Sequence, residues 1–378
     1  MRKTNYPIIF SLLFIITLTS FPSLPEAGKP SDLYSEAAVV IDARTGEVLY
    51  EKNAYRTMYP ASITKIITTI VALEEAGLSD DVQVSFDAVN VIGSRVYLLE
   101  EEILPLEQLL HGIMISSGND ASIAVAEHID GSVKAFADRM NAFVTEKVGV
   151  ENSNFTNPHG LFEEEHVTTA YDMARISAYA MGNEQFREIV GTKSLDWKGE
   201  GWETTLYNHH DLMRQNDHIT GVKNGYVRRS GYTLVTSAFD GDTEVIVVTL
   251  NSPSRLFAYN DTNKLIDYSL AEYETQVLSL ADEDLLTNHI IPEELAVTTR
   301  RGEDIKYEVR EEGEIIVTGK GNRKIAHIDL EKRYLTDLPS YIIPSDKETT
   351  VVKKQEEPIK KSIALWFILS GFNKVFNR

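Results

Sequence analysis

Strand-type segments placed on either side of a long helix-rich stretch constrain this chain more than any other feature. Near the start, Ala37-Ala38-Val39-Val40-Ile41-Asp42 and Glu47-Val48-Leu49-Tyr50 flank a turn containing Thr45-Gly46, which is a hairpin signal. Strand patterns return at 218–226, 232–239 and 243–250, the last two joined by Asp240-Gly241-Asp242. Between them lie helical patterns at 62–76, 106–115, 121–129, 133–148, 169–181 and 184–190, and one more helix follows at about 260–270. In the first of these, Ile63, Ile66, Ile67, Ile70 and Leu73 fall at near-helical spacing, Pro60 sits just before the start, and Gly77 is placed to end it. That order implies an α+β fold, an antiparallel sheet flanked by helices with a helical insertion.

From 276 to 343 the chain turns strand-rich and helix-poor, as in Ile305-Lys306-Tyr307-Glu308-Val309, a turn around Gly313, then Ile315-Ile316-Val317. A small all-β domain is expected there. A chain of 378 residues has room for it beside a domain of ordinary size. The termini differ from both. Arg2 and Lys3 precede an apolar run from Ile8 to Leu18 and then small and turn-forming residues, the order of a secretory signal peptide over 1–27. The expected division is then 28–275 for the main domain, 276–345 for the β-rich unit and 346–378 for a polar linker with an amphipathic helix.

That last segment carries Lys353, Lys354, Lys360 and Lys361 ahead of Ile363-Ala364-Leu365-Trp366-Phe367-Ile368-Leu369, then Phe372 and Phe376. Its apolar run falls short of the roughly 20 residues a spanning helix needs. Trp and Phe bulk with flanking lysines instead suits the headgroup region. The expectation is a secreted protein attached to the outer face of the cytoplasmic membrane. The absence of cysteine fits bacterial export without oxidative folding. With 57 acidic against 37 basic side chains and a net charge of −20, nucleic acid is not an expected partner.

Three clusters carry candidate chemistry. Tyr59-Pro60-Ala61-Ser62-Ile63-Thr64-Lys65 sets the Ser62 hydroxyl and the Lys65 amine three residues apart at a helix start, within reach of each other. The lysine can act as base only if burial and nearby cations lower its pKa. Taken alone, the pair equally suits a capping serine and an exposed lysine. Ser116-Ser117-Gly118-Asn119 interrupts apolar helices; Ser117 can pass a proton and the Asn119 amide can hold a carbonyl and an amine, or the segment is a plain interhelical turn. In Gly221-Val222-Lys223-Asn224-Gly225-Tyr226, Lys223 offers a charge for a substrate carboxylate and Gly225 allows close approach of an extended substrate. No H-E-x-x-H or G-x-S-x-G occurs, and no metal or cofactor is expected. The adjacent His209 and His210 point differently and read as surface or sheet-edge residues.

Together the clusters resemble the S-x-x-K, S-x-N and K-T-G set of penicillin-binding proteins and serine β-lactamases. The segments PASITKIITTIVALE, SSGNDASIAVAEHI, FTNPHGLFEEEHVTTAYDMARIS and LIDYSL are similar to the low-molecular-mass D-alanyl-D-alanine carboxypeptidases, over about 35–270. The resemblance implies a β-lactamase/transpeptidase-like fold and a serine carboxypeptidase acting on peptidoglycan stem peptides that end in D-Ala-D-Ala, with β-lactam antibiotics as ligands. It implies Ser62, Lys65, Ser117 and Asn119 as catalytic residues, and Lys223, Asn224, Gly225, Tyr226 and Arg255 on the substrate. Asn224 departs from the family's Thr, so a weakly active scaffold stays open beside the carboxypeptidase. A β-lactamase also stays open, with Glu163–Glu165 as the place where a deacylating carboxylate would be sought.

Overall fold

A computed structural model describes residues 28–280 and 289–330. The expected signal segment, the linker and the amphipathic tail lie outside them. In chain order the described elements begin with β1 (Ala37–Asp42), β2 (Val48–Lys52), α1 (Lys65–Glu75), β3 (Asp81–Gln83), α2 (Phe86–Val89) and β4 (Ile103–Pro105). They continue with α3 (Leu106–Ile115), α4 (Asn119–Asp130), α5 (Val133–Phe143), α6 (Ala170–Met181), α7 (Glu184–Gly191), β5 (Ser194–Lys198) and β6 (Glu203–Tyr207). The sheet is completed by β7 (Ile219–Val227), β8 (Gly231–Phe239) and β9 (Glu244–Ser252), followed by α8 (Arg255–Glu272). Last come β10 (Tyr273–Ser279), β11 (Glu294–Arg300), β12 (Lys306–Arg310), β13 (Glu314–Thr318) and β14 (Lys324–Asp329).

The N-terminal hairpin and the three later strands do form one antiparallel sheet, in the order β2-β1-β9-β8-β7. The alternation of a strand explains its two cores. Val39 and Val248 face a large apolar core with Ile63, Ile66 and Ile70 of the helical layer, while Val40 and Val247 face a second core with Leu265 and Ile266 of α8. Every residue of β1 is buried, as a strand covered on both faces requires. The edge strand β7 is left with its free side against the start of α1, and that edge positions the site.

Several boundaries move for local reasons. The first helix starts at Lys65 because Ala61–Thr64 forms a 3-10 turn in which Ala61 has φ 51°. It ends at Ala76 in an extended conformation, so Gly77 does not cap it. Asn119 opens α4 rather than lying in a turn, α5 gives way to a π turn over Val144–Val148, and Thr169 caps α6 instead of belonging to it. The closing helix begins at Arg255, five residues before the expected start at 260, because the Ser254 hydroxyl accepts from the Phe257 N–H at 3.2 Å. The β5–β6 hairpin and the short β3–β4 pair were not legible as strands.

The strand-rich C-terminal part is present as expected, with a β10–β11 pair and a three-stranded β12-β13-β14 sheet. Its core of Leu295, Val297, Ile315, Val317 and Ile328 is separate from the other two. Strand β10 follows α8 directly, and buried Asp42 at the end of β1 accepts from the hydroxyls of Thr275 and Thr298, both at 2.7 Å. Among the described residues no helix is long and apolar enough to cross a membrane.

Candidate active site

Ser62 sits in the 3-10 turn before α1, and three neighbours fix that turn. The Pro60 carbonyl accepts from the Thr233 hydroxyl of β8 at 2.8 Å. The Ala61 carbonyl accepts from the Thr64 hydroxyl at 2.9 Å, and Thr64 in turn contacts Nε2 of buried His166 at 2.8 Å. Because His166 Nδ1 accepts from the Thr156 N–H at 3.0 Å, the proton belongs on Nε2 and is donated to Thr64. Burial lowers the His166 pKa to about 4, which keeps the ring neutral and this chain of donors intact. Gly160, at φ 82°, lies so close to the Ala61 carbonyl that a side chain there would overlap it.

One turn along, the fully buried Lys65 amine lies 2.8 Å from Asn119 Oδ1, 2.6 Å from the His159 carbonyl and 3.4 Å from Ser62 Oγ. Burial pushes its pKa well below the ordinary lysine range, and repulsion from Lys223 adds to this against the opposing pull of Asp120. A neutral amine has two hydrogens and one lone pair. The two short contacts are to pure acceptors, so they take the hydrogens and leave the lone pair for the Ser62 hydroxyl. The His159 carbonyl was not legible as a partner, because any residue supplies a carbonyl and only the backbone path aims it.

Asn119 is held from both ends. Its Nδ2 donates to the Ile92 carbonyl at 2.7 Å, and its N–H donates to the Ser94 carbonyl at 2.8 Å. Next to it, buried Asp120 accepts from the N–H groups of Val96 at 3.0 Å and Ala121 at 2.9 Å. The 90–99 loop is thus tied to the start of α4, which brings Ser94 into the cleft beside Ser117. Ser117 is buried with φ 62°, a left-handed conformation imposed where the chain leaves α3 and re-enters α4.

Strand β7 forms the opposite wall. A Cβ on Gly225 would lie 2.7 Å from both the Ser62 nitrogen and Thr233 Oγ1, so only glycine lets the strand and the serine turn approach this closely. Lys223 is fully buried, and its amine lies 2.9 Å from the Asn224 carbonyl and 3.4 Å from Asn224 Oδ1. No carboxylate pairs with it among the described residues. Burial alone pushes its pKa down to about 7.

The cleft has a volume of about 300 Å³. Ser62, Ser117, Asn224, Gly225, Tyr226 and Arg255 line it, so the sequence candidates converge, with Lys65, Asn119 and Lys223 buried behind the wall. Arg255 reaches it from the first residue of α8, held by Asp211 at 2.7 Å and the His209 carbonyl at 3.2 Å. The sequence reading missed Ser94, Thr233 and His209, which also line the cleft. Of the two histidines read as surface or sheet-edge residues, His209 is exposed as expected and lines the cleft, whereas His210 is completely buried with Nε2 2.8 Å from the Thr236 hydroxyl. Partial burial and the cations Lys223 and Arg255 bring His209 down to about 4.

A nucleophilic hydroxyl beside a buried lysine, on a sheet covered by helices, defines a serine acyl-transfer enzyme of the penicillin-binding and transpeptidase fold. The D-alanyl-D-alanine carboxypeptidase family model matches residues 25–254, and the chain belongs to that family. It is 31% identical to the D-alanyl-D-alanine carboxypeptidase DacF of Bacillus subtilis, over 85% of this chain and 89% of that one. It is 29% identical to DacD of Escherichia coli over 71% of this chain and 72% of that one. Among solved structures, penicillin binding protein 5 from Haemophilus influenzae superposes with a TM-score of 0.71 at 25% identity, covering 80% of this chain and 97% of that chain. A mutant Streptomyces DD-transpeptidase superposes at 0.61 with 28% identity, over 64% of this chain and 100% of that chain.

Proposed function

We propose that this serine peptidase is a D-Ala-D-Ala carboxypeptidase that removes the terminal D-alanine from peptidoglycan stem peptides. The observation that carries the reading is the fully buried Lys65 amine, depressed in pKa and held by Asn119 Oδ1 and the His159 carbonyl so that, once uncharged, its lone pair is left for Ser62. Lys65 takes the Ser62 proton while Oγ attacks the carbonyl carbon between the last two D-alanines. The oxyanion is received by the N–H groups of Ser62 and Tyr226 across the gap that Gly225 leaves open; such donors are individually worth about 2.7–4 kcal/mol in other enzymes. The C–N bond then breaks, Ser117 relays the proton to the departing amine, and D-Ala leaves. Water cleaves the Ser62 ester and restores the hydroxyl. Asn119 orients both Lys65 and the peptide, while Lys223, Asn224 and Arg255 hold the terminal carboxylate. A β-lactam carbonyl meets the same nucleophile.

No aspartate or glutamate lines the cleft among the described residues. Glu163, where a deacylating carboxylate was sought, instead accepts from Asn157 Nδ2 at 2.8 Å. This supports a long-lived penicilloyl ester over β-lactamase turnover. Labelled penicillin and a pentapeptide test the reading together: a persistent adduct lost in Ser62→Ala, with D-Ala release by the parent, is the expected result. Rapid penicillin turnover would instead indicate a β-lactamase, and no adduct a scaffold.

We further propose export through the 1–27 signal segment and attachment to the outer face of the cytoplasmic membrane by the 346–378 tail, a reading supported by the residue pattern of those two segments. The tail's argument is its aromatic bulk beside Lys360, Lys361 and Lys374. Truncation after Ser345 should leave penicillin acylation intact and abolish sedimentation with anionic vesicles. Equal sedimentation of the two forms would reject the anchor.

A further inference from the structure

Charge in the C-terminal β-rich part is sorted to its two ends. Arg300, Arg301, Lys306, Lys320, Arg323 and Lys324 lie at the end formed by the 301–305 and 319–323 connections, joined there by Glu303 and Asp304. At the other end lie Glu293, Glu294, Glu311, Glu312, Glu314 and Asp329, with Arg310 among them. The register imposes the separation: Glu314 pairs with Arg310 and Asp329 across the sheet, whereas Thr318 pairs with Lys306 and Lys324. In a chain of net charge −20, solubility alone gives no reason to gather cations at one end.

The basic end encloses a groove of about 960 Å³. Most of the acidic groups around it are used in holding its walls. Glu303 bridges the two connections: it accepts the Lys320 N–H at 3.0 Å and the Arg323 guanidinium, and a side chain on Gly319 would overlap it. Glu272 pairs with Arg300 at 3.0 Å, Asp240 with Arg301 at 2.6 Å, and Glu274 accepts the Gly302 N–H at 3.0 Å. That leaves Asp304 on the lining against Lys306 and Lys320, which are exposed and carry no ion pair among the described residues. Gly302 at φ 74° and Gly321 at φ 69° also line the groove, with open space where a side chain would stand, so a ligand can approach the backbone there.

Two unpaired ammonium groups beside guanidiniums suit a tetrahedral oxyanion, because lysine meets phosphate as a point charge and arginine as a fork. The volume lies at the upper end of the roughly 300–1,000 Å³ that holds a drug-sized ligand, so the groove accommodates several linked units rather than one ion. A bilayer is a poorer fit. The Leu330 N–H donates to the Gly313 carbonyl at 2.7 Å, so the path toward the tail starts at the acidic end. With that end toward the lipid, the basic groove faces away from it.

We propose that the groove between the 301–305 and 319–323 connections binds a phosphodiester polymer, a chain with one fixed negative charge per unit. Binding there would hold the protein beside such a polymer at a place apart from the catalytic cleft. The groove does not depend on D-Ala release; only the choice of polymer over bilayer rests on the proposed tail attachment.

Titration calorimetry on the full-length chain compares a synthetic six-unit glycerol phosphodiester with a six-unit glutamate peptide. The phosphodiester should bind at least about fivefold tighter. The double substitution Lys306→Gln with Lys320→Gln should weaken it roughly tenfold, the loss of two charge-assisted contacts partly screened by solvent. Lys134→Gln with Lys147→Gln, the same change of net charge on the main domain, should stay within about twofold of the parent. Penicillin acylation by the Lys306/Lys320 variant should match the parent, which shows that the fold is kept. Sedimentation of that variant with anionic vesicles should also match. No heat from the parent at millimolar phosphodiester overturns the site, and equal loss in the control pair overturns it by indicating only a long-range field. Equal binding of the glutamate peptide overturns the phosphate class, and reduced vesicle sedimentation of the Lys306/Lys320 variant overturns the polymer in favour of a lipid surface. Phosphodiester binding in a chain that releases no D-Ala would uphold the groove and reject the carboxypeptidase reading alone.

Discussion

Lys65 and Lys223 are both fully buried and both depressed in pKa, yet the regions around them are opposites. Around Lys65 the protein supplies every partner: Asn119 Oδ1, the His159 carbonyl and the Ser62 hydroxyl, aimed from α4, the 157–166 loop and the serine turn. Around Lys223 the described residues supply only the carbonyl and amide oxygen of the next residue. A buried charge is normally paired. The difference indicates that one amine is finished by the fold, as a base, while the other is left for a substrate carboxylate to complete. Burial depresses both amines, and the charge of Lys223 depresses Lys65 further while Asp120 opposes it; the base role needs Lys65 uncharged, and carboxylate binding needs Lys223 charged.

The comparison is broken most severely by Lys65→Gln. Removing the base should lower the rate of penicillin acylation by about 10²–10⁴-fold, the usual range for a positioned general base, with little change in thermal midpoint. A loss under tenfold in a stopped-flow acylation assay would mean that Lys65 is not the base. Lys223→Ala should lower kcat/KM for a D-Ala-D-Ala peptide by roughly 10–100-fold, the value of a charge-assisted hydrogen bond. A similar loss on a substrate amidated at its C-terminal carboxylate would refute a carboxylate-binding role.

The pH profile sharpens the contrast. Kinetics should show kcat/KM rising on the acid side as Lys65 loses its proton, then falling as pH passes through about 7 and Lys223 loses its charge. Lys223→Arg, which stays protonated, should remove the alkaline limb and leave the acid limb in place. In the complex the bound carboxylate favours charged Lys223, so the alkaline limb of kcat should lie at higher pH than that of kcat/KM. The smallest effect is expected from Asn224→Thr, which exchanges one neutral donor for another. A change of less than about tenfold in kcat/KM is expected; a larger gain would show that Asn224 restrains this copy.

The family, the sheet strands and the three clusters were legible because each rests on local pattern, whereas the order β2-β1-β9-β8-β7 was not read from the sequence. Strand alternation, helical spacing and short spaced motifs all sit within a few residues, and hydrophobic periodicity survives whatever it packs against. Boundaries failed where tertiary contacts override propensity. Asn119 enters α4 because Ser94 takes its N–H, and the serine turn tightens because Thr233, Thr64 and His166 hold it. The early start of α8 was available in principle from Ser254, and it is what brings Arg255 to the cleft.

The sequence by itself determined which residue types the site contains and the topology that gathers them, since covalent order and apolar pattern are properties of the chain. Only the tertiary structure decided their states. Ser62 and Lys65 are a cap and a surface amine until burial removes water from the lysine, and Asn119 and the His159 carbonyl lie 54 and 94 residues away from it in sequence. A pKa is set by solvent exclusion and by charges and dipoles within a few ångströms, and those distances exist only once the chain has closed on itself.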